Sequence, residues 1–323
     1  MRRSLRLRCQ RYIDVVDVLS DAMAAMRTGR SHAARVRQPA VFGRILAPVD
    51  GAGFHAVLEG TCWLIPPDGA PIALRAGDVA FLPRGCGHGL TDAPSTPLAD
   101  GPAVADRSNG SGAAIVTLCG AYLLDRSRSH PLLDELPEVI HVSARNARHS
   151  AIRAAVDLLS DELERPGPGA DAVVPSLLDM LFLYMLRAWC TEQANRGTAG
   201  GWPAALHDPQ VSAALRAIHT FPGRPWTVEE LGQRAGLSRA AFARRFTRLV
   251  GQPPLTYLTW WRMTTAARRL RESNAPLSAV ARRIGYTSEF AFANAFKRAY
   301  GIAPGTYRRQ RPAQPERTDG SGL

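Results

Sequence analysis

The stretches "LSRAAFARRFTRLVGQPP" at residues 237–254 and "TSEFAFANAFKRAYGIAP" at residues 287–304 are near-copies of one another. Six residues recur at an offset of fifty positions, and they pair Ser238 with Ser288, Phe242 with Phe292, Phe246 with Phe296, Arg248 with Arg298, Gly251 with Gly301 and Pro254 with Pro304. Self-similarity at a fixed spacing indicates that one structural unit is used twice.

Each copy has the pattern of two helices joined by a short turn. In the first copy, Thr227 and Glu230 have the spacing of a capping box, in which each side chain accepts a hydrogen bond from a free amide at a helix start. Gly236 can adopt the positive φ of a helix end, and Ser238 can cap the next helix. Residues 254–273 predict one long helix between the copies. The pattern therefore predicts two helix-turn-helix units held by a connecting helix.

The basic charge of the chain is concentrated in this repeated region. The formal net charge is +12. Residues 208–312 hold 18 Lys and Arg against 5 Asp and Glu, whereas residues 31–207 hold 14 against 18. This asymmetry favours a polyanionic partner for the C-terminal third. A solvated, arginine-rich surface is the alternative, because 39 of the 40 basic residues are Arg.

The region before the repeat has a different pattern of apolar and polar residues. Residues 10–29 have apolar positions at helical spacing, and residues 33–143 alternate short β-prone runs with Gly, Pro and Asp turns, as in an all-β sandwich or barrel. Helical patterns return at 150–164 and 172–193. Because the second of these is apolar almost all round, we expect it in a core or at a subunit contact. Residues 194–207 resemble a linker.

The chain lacks the signals of export and of a disulfide framework. The N-terminus has no apolar signal-peptide region, and no run of about 18 apolar residues predicts a membrane span. The cysteines are odd in number, form no CxxC pair and lie at Cys9, Cys62, Cys86, Cys119 and Cys190. We therefore expect a cytoplasmic protein without a membrane partner, without disulfides and without a structural zinc cluster.

The repeated region resembles the DNA-binding domain of the AraC/XylS family of transcription regulators. The resemblance rests on "LGQRAGLSRAAFARRF", "GQPPLTYLTWWRMTTAARRL" and "LSAVARRIGYTSEFAFANAFKRAYGIAPGTYR", which together span about a hundred residues. In that family, the second helix of each unit enters one of two successive major grooves on one face of the DNA. The resemblance therefore implies a double-stranded promoter DNA partner, with the connecting helix setting the distance of about one helical turn.

The resemblance also implies which residues contact DNA. By motif, the base-reading positions are Ala240, Ala243 and Arg244 in the first unit, and Phe290, Ala291 and Asn294 with Glu289 in the second. Arginine can bind guanine in two places, asparagine suits adenine, glutamate can accept from cytosine, and phenylalanine can pack on a thymine methyl. The contacts expected to position the helices on phosphates are Arg239, Arg245, Lys297 and Arg298, with the caps Ser238 and Ser288 beside the interface.

The β-rich region resembles a cupin barrel. "GDVAFLPRGCGH" at 77–88 fits the second cupin motif, and "HAVLEG" at 55–60 resembles the end of the first. The H-x-H pair of metal cupins is absent, which leaves His55 and His88 as a poor ligand set, since catalytic zinc sites usually have three protein ligands. We therefore predict no metal and no cofactor. A hydrogen-bonded structural role for His88 is the favoured alternative.

The barrel interior is the expected sensor. A small barrel can hold one small ligand, and His55, Trp63, Phe81 and His88 are the residues expected to line it. Redox sensing is the rival, with Cys62, Cys86 and Cys119 as candidates, because Arg84 and His88 could lower the pKa of the Cys86 thiol. Inert buried thiols are the favoured interpretation of these cysteines over redox sensing.

These observations predict a multidomain α+β protein, with a cupin-like barrel and flanking helices before an all-α domain of two helix-turn-helix units. The expected parts are an N-terminal helix and tail at 1–30, a sensor and dimerisation domain at 31–193, a linker at 194–207, a DNA-binding domain at 208–310 and a disordered tail at 311–323.

The expected function is a sequence-specific transcription regulator that is not an enzyme. It would sense a small molecule or oxidant, form a homodimer and contact RNA polymerase as an activator. One alternative is a metal-dependent cupin enzyme carrying a DNA-binding domain. A DNA-repair fusion is the other, and it would need clustered cysteines, which the sequence lacks.

Overall fold

A computed structural model of the protein describes residues 17–29, 31–100, 115–124, 130–143, 146–196 and 200–310. The expected tail at 311–323 and residues 10–16 of the expected N-terminal helix lie outside these residues. The described residues divide into two compact units. The β-rich unit contains residues 27–124 and 136–189, and the helical unit contains residues 17–26, 130–135 and 190–310.

Two antiparallel sheets form the β-rich unit. Its strands are β1 (His32–Gln38), β2 (Gly43–Leu46), β3 (Gly51–Glu59), β4 (Thr61–Ile65), β5 (Ile72–Arg75), β6 (Val79–Leu82), β7 (His88–Thr91), β8 (Ile115–Leu123) and β9 (Ile140–Val142). The strand order is β1-β8-β3-β6-β9 in one sheet and β2-β7-β4-β5 in the other. The predicted cupin-like architecture is confirmed, as two facing sheets rather than a closed barrel.

Strand alternation divides the side chains of the larger sheet between its two faces. Val57 and Leu82 pack with residues of the smaller sheet in one core. Phe54 and Tyr122 lie on the opposite face, with ring centroids 5.7 Å apart. This second face is covered by the helix at Ala170–Asn195, whose Phe182 lies 4.7 Å from Tyr122 by ring centroids.

Two helices follow β9 in the chain. They are α3 (Ser150–Glu164) and α4 (Ala170–Asn195). By length and composition alone, α4 is apolar enough to span a membrane, although core helices of soluble proteins pass the same test. Leu178, Leu181 and Phe182 of α4 are completely or almost completely buried. This burial explains its apolar sequence through packing on the sheet.

The helical unit is built from short helices around one long one. Its helices are α1 (Val18–Met26), α2 (Pro131–Asp134), α5 (Gly201–His207), α6 (Pro209–Thr220), α7 (Val228–Arg234), α8 (Arg239–Val250), α9 (Pro254–Glu272), α10 (Leu277–Arg283), α11 (Glu289–Tyr300) and α12 (Pro304–Arg309). Helices α7–α8 and α10–α11 are the two helix-turn-helix units, and α9 is the predicted connecting helix. The prediction of a helical C-terminal domain is confirmed.

The helical unit includes segments that the sequence assigned elsewhere. Helix α1 was expected to stand apart, but the Arg271 side chain donates to the Ala25 carbonyl at 2.9 Å. Helix α2 was expected within the sensor domain, yet His130 at its start contacts Trp202 with ring centroids 4.4 Å apart. Trp202 is completely buried within α5, so the prediction of a linker through residues 201–207 is wrong.

Candidate DNA interface and sensor cavity

The first helix-turn-helix unit is fixed by local hydrogen bonds and an aromatic core. Helix α7 begins with the predicted capping box between Thr227 and Glu230. Helix α8 begins where the Ala241 amide donates to the Ser238 hydroxyl at 3.4 Å. The side chain of Phe242 is completely buried. Burial of one face of α8 leaves its opposite face on the surface of the unit.

The exposed face of α8 carries the residues predicted to contact DNA. Arg239, Ala240 and Arg244 are exposed, and Ala243 is half-buried beside them. All four line one surface depression together with Arg248. Arg248 was absent from the predicted contacts, although its position one helical turn after Arg244 places it on the same face.

Helix α11 repeats this arrangement in the second unit. The Ala291 amide donates to the Ser288 hydroxyl at 3.4 Å, and Phe292 and Phe296 are completely buried. The outer surface of the helix contains the exposed residues predicted from the resemblance, which are Glu289, Phe290, Ala291, Asn294, Lys297 and Arg298. Phe290 is 76% exposed, an unusual position for a large apolar side chain.

Arg245 has a different role from the predicted phosphate contact. Its Nε donates to the Asp208 carboxylate at 2.8 Å, and Asp208 also caps α6 by accepting from the Val211 amide at 2.9 Å. Burial raises the pKa of Asp208, but the hydrogen bonds from Arg245 and the backbone outweigh it and leave the pKa below its usual value. Arg245 thus holds α8 to the start of α6.

In the β-rich unit, a cavity of about 610 Å³ lies between the sheets. His55 and His88 line it, as predicted, and Cys86 and Cys119 are also on its wall. Cavities of this size hold ligands of metabolite or drug size. Gly85 shapes the turn before His88, because its φ is +55° and a Cβ there would lie 2.4 Å from the Val49 carbonyl oxygen.

A chain of hydrogen bonds crosses the cavity wall. His55 is paired opposite Cys119 in the β3–β8 register, and its Nδ1 lies 3.0 Å from the Cys119 Sγ. The Nε2 atoms of His55 and His88 are 2.7 Å apart. His88 Nδ1 lies 2.9 Å from the Cys86 carbonyl oxygen. We name Cys119, His55 and His88 the thiol–imidazole chain.

The Cys86 carbonyl oxygen is the last acceptor of the thiol–imidazole chain, and it determines which nitrogen of each ring carries the proton. Burial, reinforced by repulsion from His88, lowers the pKa of His55 to about 3, and burial lowers the pKa of His88. Both rings are therefore neutral at pH 7. Because the Cys86 carbonyl only accepts, His88 carries its proton on Nδ1 and accepts from His55 at Nε2. His55 Nδ1 is then the acceptor for the Cys119 thiol.

Two of the predicted lining residues do not line this cavity. Phe81 lies on the outer face of its sheet and packs against Phe182 at 5.4 Å between ring centroids. Trp63 is half-buried between Cys62 and Leu64, both of which point into the core. Strand alternation therefore directs both aromatic rings away from the cavity.

The three candidate thiols lie in different environments. Cys62 is completely buried in the apolar core, and desolvation raises its pKa to about 12. Desolvation and the nearby Glu138 also raise the pKa of Cys86, and they outweigh the effect of Arg84. Burial raises the pKa of Cys119 to about 11. The prediction of a lowered Cys86 pKa is therefore wrong.

Sequence reasoning missed the residues of β1 and β2 that border the cavity. His32, Ala34, Val36 and Gln38 occupy alternate positions of β1 and line the wall, and Arg44 of β2 joins them. The alternation of "HAARVRQ" is the signal that could have identified the first four residues. Arg44 lies on a short strand without such a pattern.

The thiol–imidazole chain does not have the geometry of a metal site. Across the described segments of the chain, no group of three or more His, Cys, Asp and Glu is arranged to hold a metal ion. Each His55 nitrogen already faces a partner, which is Cys119 on one side and His88 on the other. The residues present therefore do not fit the metal of a metal cupin.

A cupin-type β unit joined to two exposed recognition helices defines a DNA-binding transcription regulator. The sequence matches the Cupin family over residues 17–191 and a helix-turn-helix domain over residues 231–310. The chain belongs to the AraC-like transcription regulators.

Similar proteins cover almost the whole chain. An AraC-like transcription regulator of Streptomyces lividans is 35% identical over 311 residues, which is 93% of this chain and 100% of that protein. The RCS-specific transcriptional activator RclR of Escherichia coli is 30% identical over 257 residues, covering 79% of this chain and 83% of its own. The DNA-binding domain of AdpA, solved with a target DNA, is 35% identical over 32% of this chain and 91% of its own, with a TM-score of 0.30.

Proposed function

We propose that this regulator reads promoter DNA with the exposed faces of α8 and α11. The observation that carries this proposal is that Arg244 and Asn294, fifty positions apart, occupy equivalent exposed sites on two helices with the same cap and the same buried aromatic core. A base reader needs such exposed, fixed side chains. The surrounding charge is basic, as binding to phosphates requires.

Each exposed side chain has a role in this proposal. Arg244 binds guanine, Asn294 binds adenine, and Glu289 accepts from cytosine. Phe290 packs on a thymine methyl, and Ala240, Ala243 and Ala291 allow close approach to the bases. The phosphate contacts are Arg239, Arg248, Lys297 and Arg298.

The cavity of the β-rich unit is the proposed effector site. Most of its wall is apolar, with Arg44 as the basic group. That lining suits a small molecule with an apolar body and an electron-rich oxygen. Oxidant sensing is the second candidate, in keeping with the name of RclR. The raised pKa values of the three thiols argue against it, since low-pKa thiolates are the usual oxidant targets.

A homodimer through α4 completes the proposal. Val173, Leu177, Met180 and Tyr184 follow one another at helical spacing, and all are exposed or half-buried. An apolar stripe of this kind suits contact with a second copy.

The regulator acts in the cytoplasm as an activator that contacts RNA polymerase, and it has no enzymatic activity. Within the described part of the chain, no three His, Cys, Asp or Glu side chains are arranged to hold the metal that the alternative of a cupin enzyme needs.

The proposal is tested by binding of the purified full-length protein to DNA from upstream of its own gene, followed by fluorescence anisotropy at two salt concentrations. We expect binding at least about 1,000-fold tighter than to scrambled DNA of equal length. Equal affinity for both DNAs, with the same steep salt dependence, would show a basic surface without sequence recognition.

A further inference from the structure

We propose that Cys119 is a covalent attachment site for small α,β-unsaturated carbonyl compounds, and that His55 accepts the thiol proton during the addition. The site is the thiol–imidazole chain on the wall of the 610 Å³ cavity. Its regulatory consequence rests on the proposed effector role of the cavity, whereas formation of the adduct does not.

The Cys119 thiol is protonated at neutral pH, and His55 lies beside it as a base. Burial keeps the proton on Cys119 at pH 7, so this residue holds no standing thiolate for peroxides to oxidise. His55 Nδ1 nevertheless lies 3.0 Å from the sulfur and can remove the proton as the new bond forms. The His55 Nε2 proton already faces His88 at 2.7 Å, so the positive charge that develops is shared between two rings.

The addition is balanced without an oxidant or reductant. The Cys119 sulfur bonds to the β-carbon of the electrophile while its proton moves to His55 Nδ1. The π pair of the carbon–carbon double bond shifts to form an enolate, whose oxygen gains the negative charge. His55 then returns the proton to the α-carbon, which regenerates the neutral imidazole. The product is a thioether with an intact carbonyl group.

The cavity offers groups for both ends of such a molecule. Arg44 borders the same cavity, and its positive charge acts on the Cys119 thiol, so it is placed to stabilise an enolate oxygen. Val36, Leu46 and Val49 supply an apolar wall for the carbon chain. An apolar electrophile with one carbonyl oxygen therefore fits the lining.

The other two candidate thiols, Cys62 and Cys86, do not share this arrangement. Cys62 is sealed in the apolar core at zero exposure. Cys86 lies on the cavity wall, but it gives its backbone carbonyl to His88. Cys190 is buried in α4 and is not among the residues that line the cavity, so Cys190→Ala is the control for loss of a thiol away from the site.

The test treats the full-length protein with trans-2-hexenal and follows the adduct by peptide mass spectrometry. We expect modification at Cys119, about tenfold or more slower in His55→Gln and unchanged in Cys190→Ala. Modification of Cys86 alone, or an equal Cys119 rate in His55→Gln, would overturn the proposal. Oxidation of Cys119 by hypochlorite without any hexenal adduct would overturn it as well.

A second measurement needs no variant and therefore remains decisive if His55→Gln fails to fold. We expect a solvent deuterium isotope effect of about 2 on the wild-type reaction, because the proton moves as the bond forms. A rate equal in both solvents would contradict the role of His55. DNA binding of modified and unmodified protein is measured separately, so a missing adduct and a failure of DNA recognition are distinguished.

Discussion

Arg244 and Asn294 are the side chains on which base recognition depends in our proposal. Replacing either by alanine removes a two-point contact to one base, so we expect a loss of about 1–3 kcal/mol of discrimination at that base pair. Competition anisotropy with DNAs that differ at single positions measures this loss. Arg239→Ala is the control, since a lost phosphate contact weakens all DNAs alike. Uniform weakening in Arg244→Ala would reassign that arginine to the DNA backbone.

Arg245 stabilises the fold through Asp208, and its replacement has a defined pH dependence. We expect Arg245→Ala to lower the free energy of unfolding by about 1–2 kcal/mol at pH 7, given partial exposure of the pair to solvent. The folded-state pKa of Asp208 is lowered, so its contribution is present above the unfolded pKa of about 4 and is lost as pH falls through the lower folded value.

Urea unfolding at several pH values tests this effect of Arg245. The difference between wild type and Arg245→Ala should shrink as the pH falls below about 4 and disappear below the lowered folded-state pKa, where Asp208 is protonated in both states. Arg244→Ala, which removes an exposed arginine one position earlier, should leave stability within about 0.5 kcal/mol at all these pH values. A pH-independent difference would place the role of Arg245 elsewhere.

At the scale of elements, the sequence predicted the features that depend on residues close together in the chain. The caps at Thr227 and Ser238, the turn at Gly236 and the length of α9 all follow from short-range hydrogen bonding and helical spacing. The place of Trp202 does not, because its partner His130 lies far away in the sequence. Only part of the cavity wall was predicted, because its residues also come from distant parts of the sequence. Motifs identify His55 and His88, whereas Cys119 reaches them through pairing of β3 with β8.

The turn of the second helix-turn-helix unit is packed against the loop before the first. Gly285 has a φ of +87°, and a Cβ there would lie 2.5 Å from the Gly223 carbonyl oxygen. We expect Gly285→Ala to destabilise the protein by about 1–3 kcal/mol, because a side chain strains the backbone and forces the loop away. Thermal unfolding monitored by circular dichroism measures the change.

Gly305→Ala is the matched control for Gly285→Ala. Gly305 lies in α12, where a Cβ would be 3.9 Å from the nearest atom, the Arg309 guanidinium. Alanine favours a helix by about 1 kcal/mol over glycine, so this variant should be neutral or slightly more stable. Equal melting temperatures for the two variants would show that the contact at Gly285 can relax.

At the scale of the whole molecule, the exposed stripe on α4 predicts how two copies associate. A dimer has two DNA-binding domains, one from each copy. Binding of one domain raises the effective concentration of the other at a neighbouring DNA site. The monomer mass is 35.0 kDa, so light scattering at micromolar concentration should give twice that value. Leu177→Arg places a charge in the middle of the apolar stripe, and desolvation of that charge should leave mainly monomer.

Ala172→Arg separates loss of the interface from a general effect of added charge. Ala172 is exposed on α4 but lies five positions from Leu177 and eight from Met180, away from the side of the helix that carries the stripe. It should remain dimeric with the same melting temperature as the wild type. Leu177→Arg should bind a single DNA site normally and lose only cooperative binding to paired sites, because α8 and α11 are unchanged. A monomeric wild-type protein would instead mean that the stripe on α4 has another partner or none.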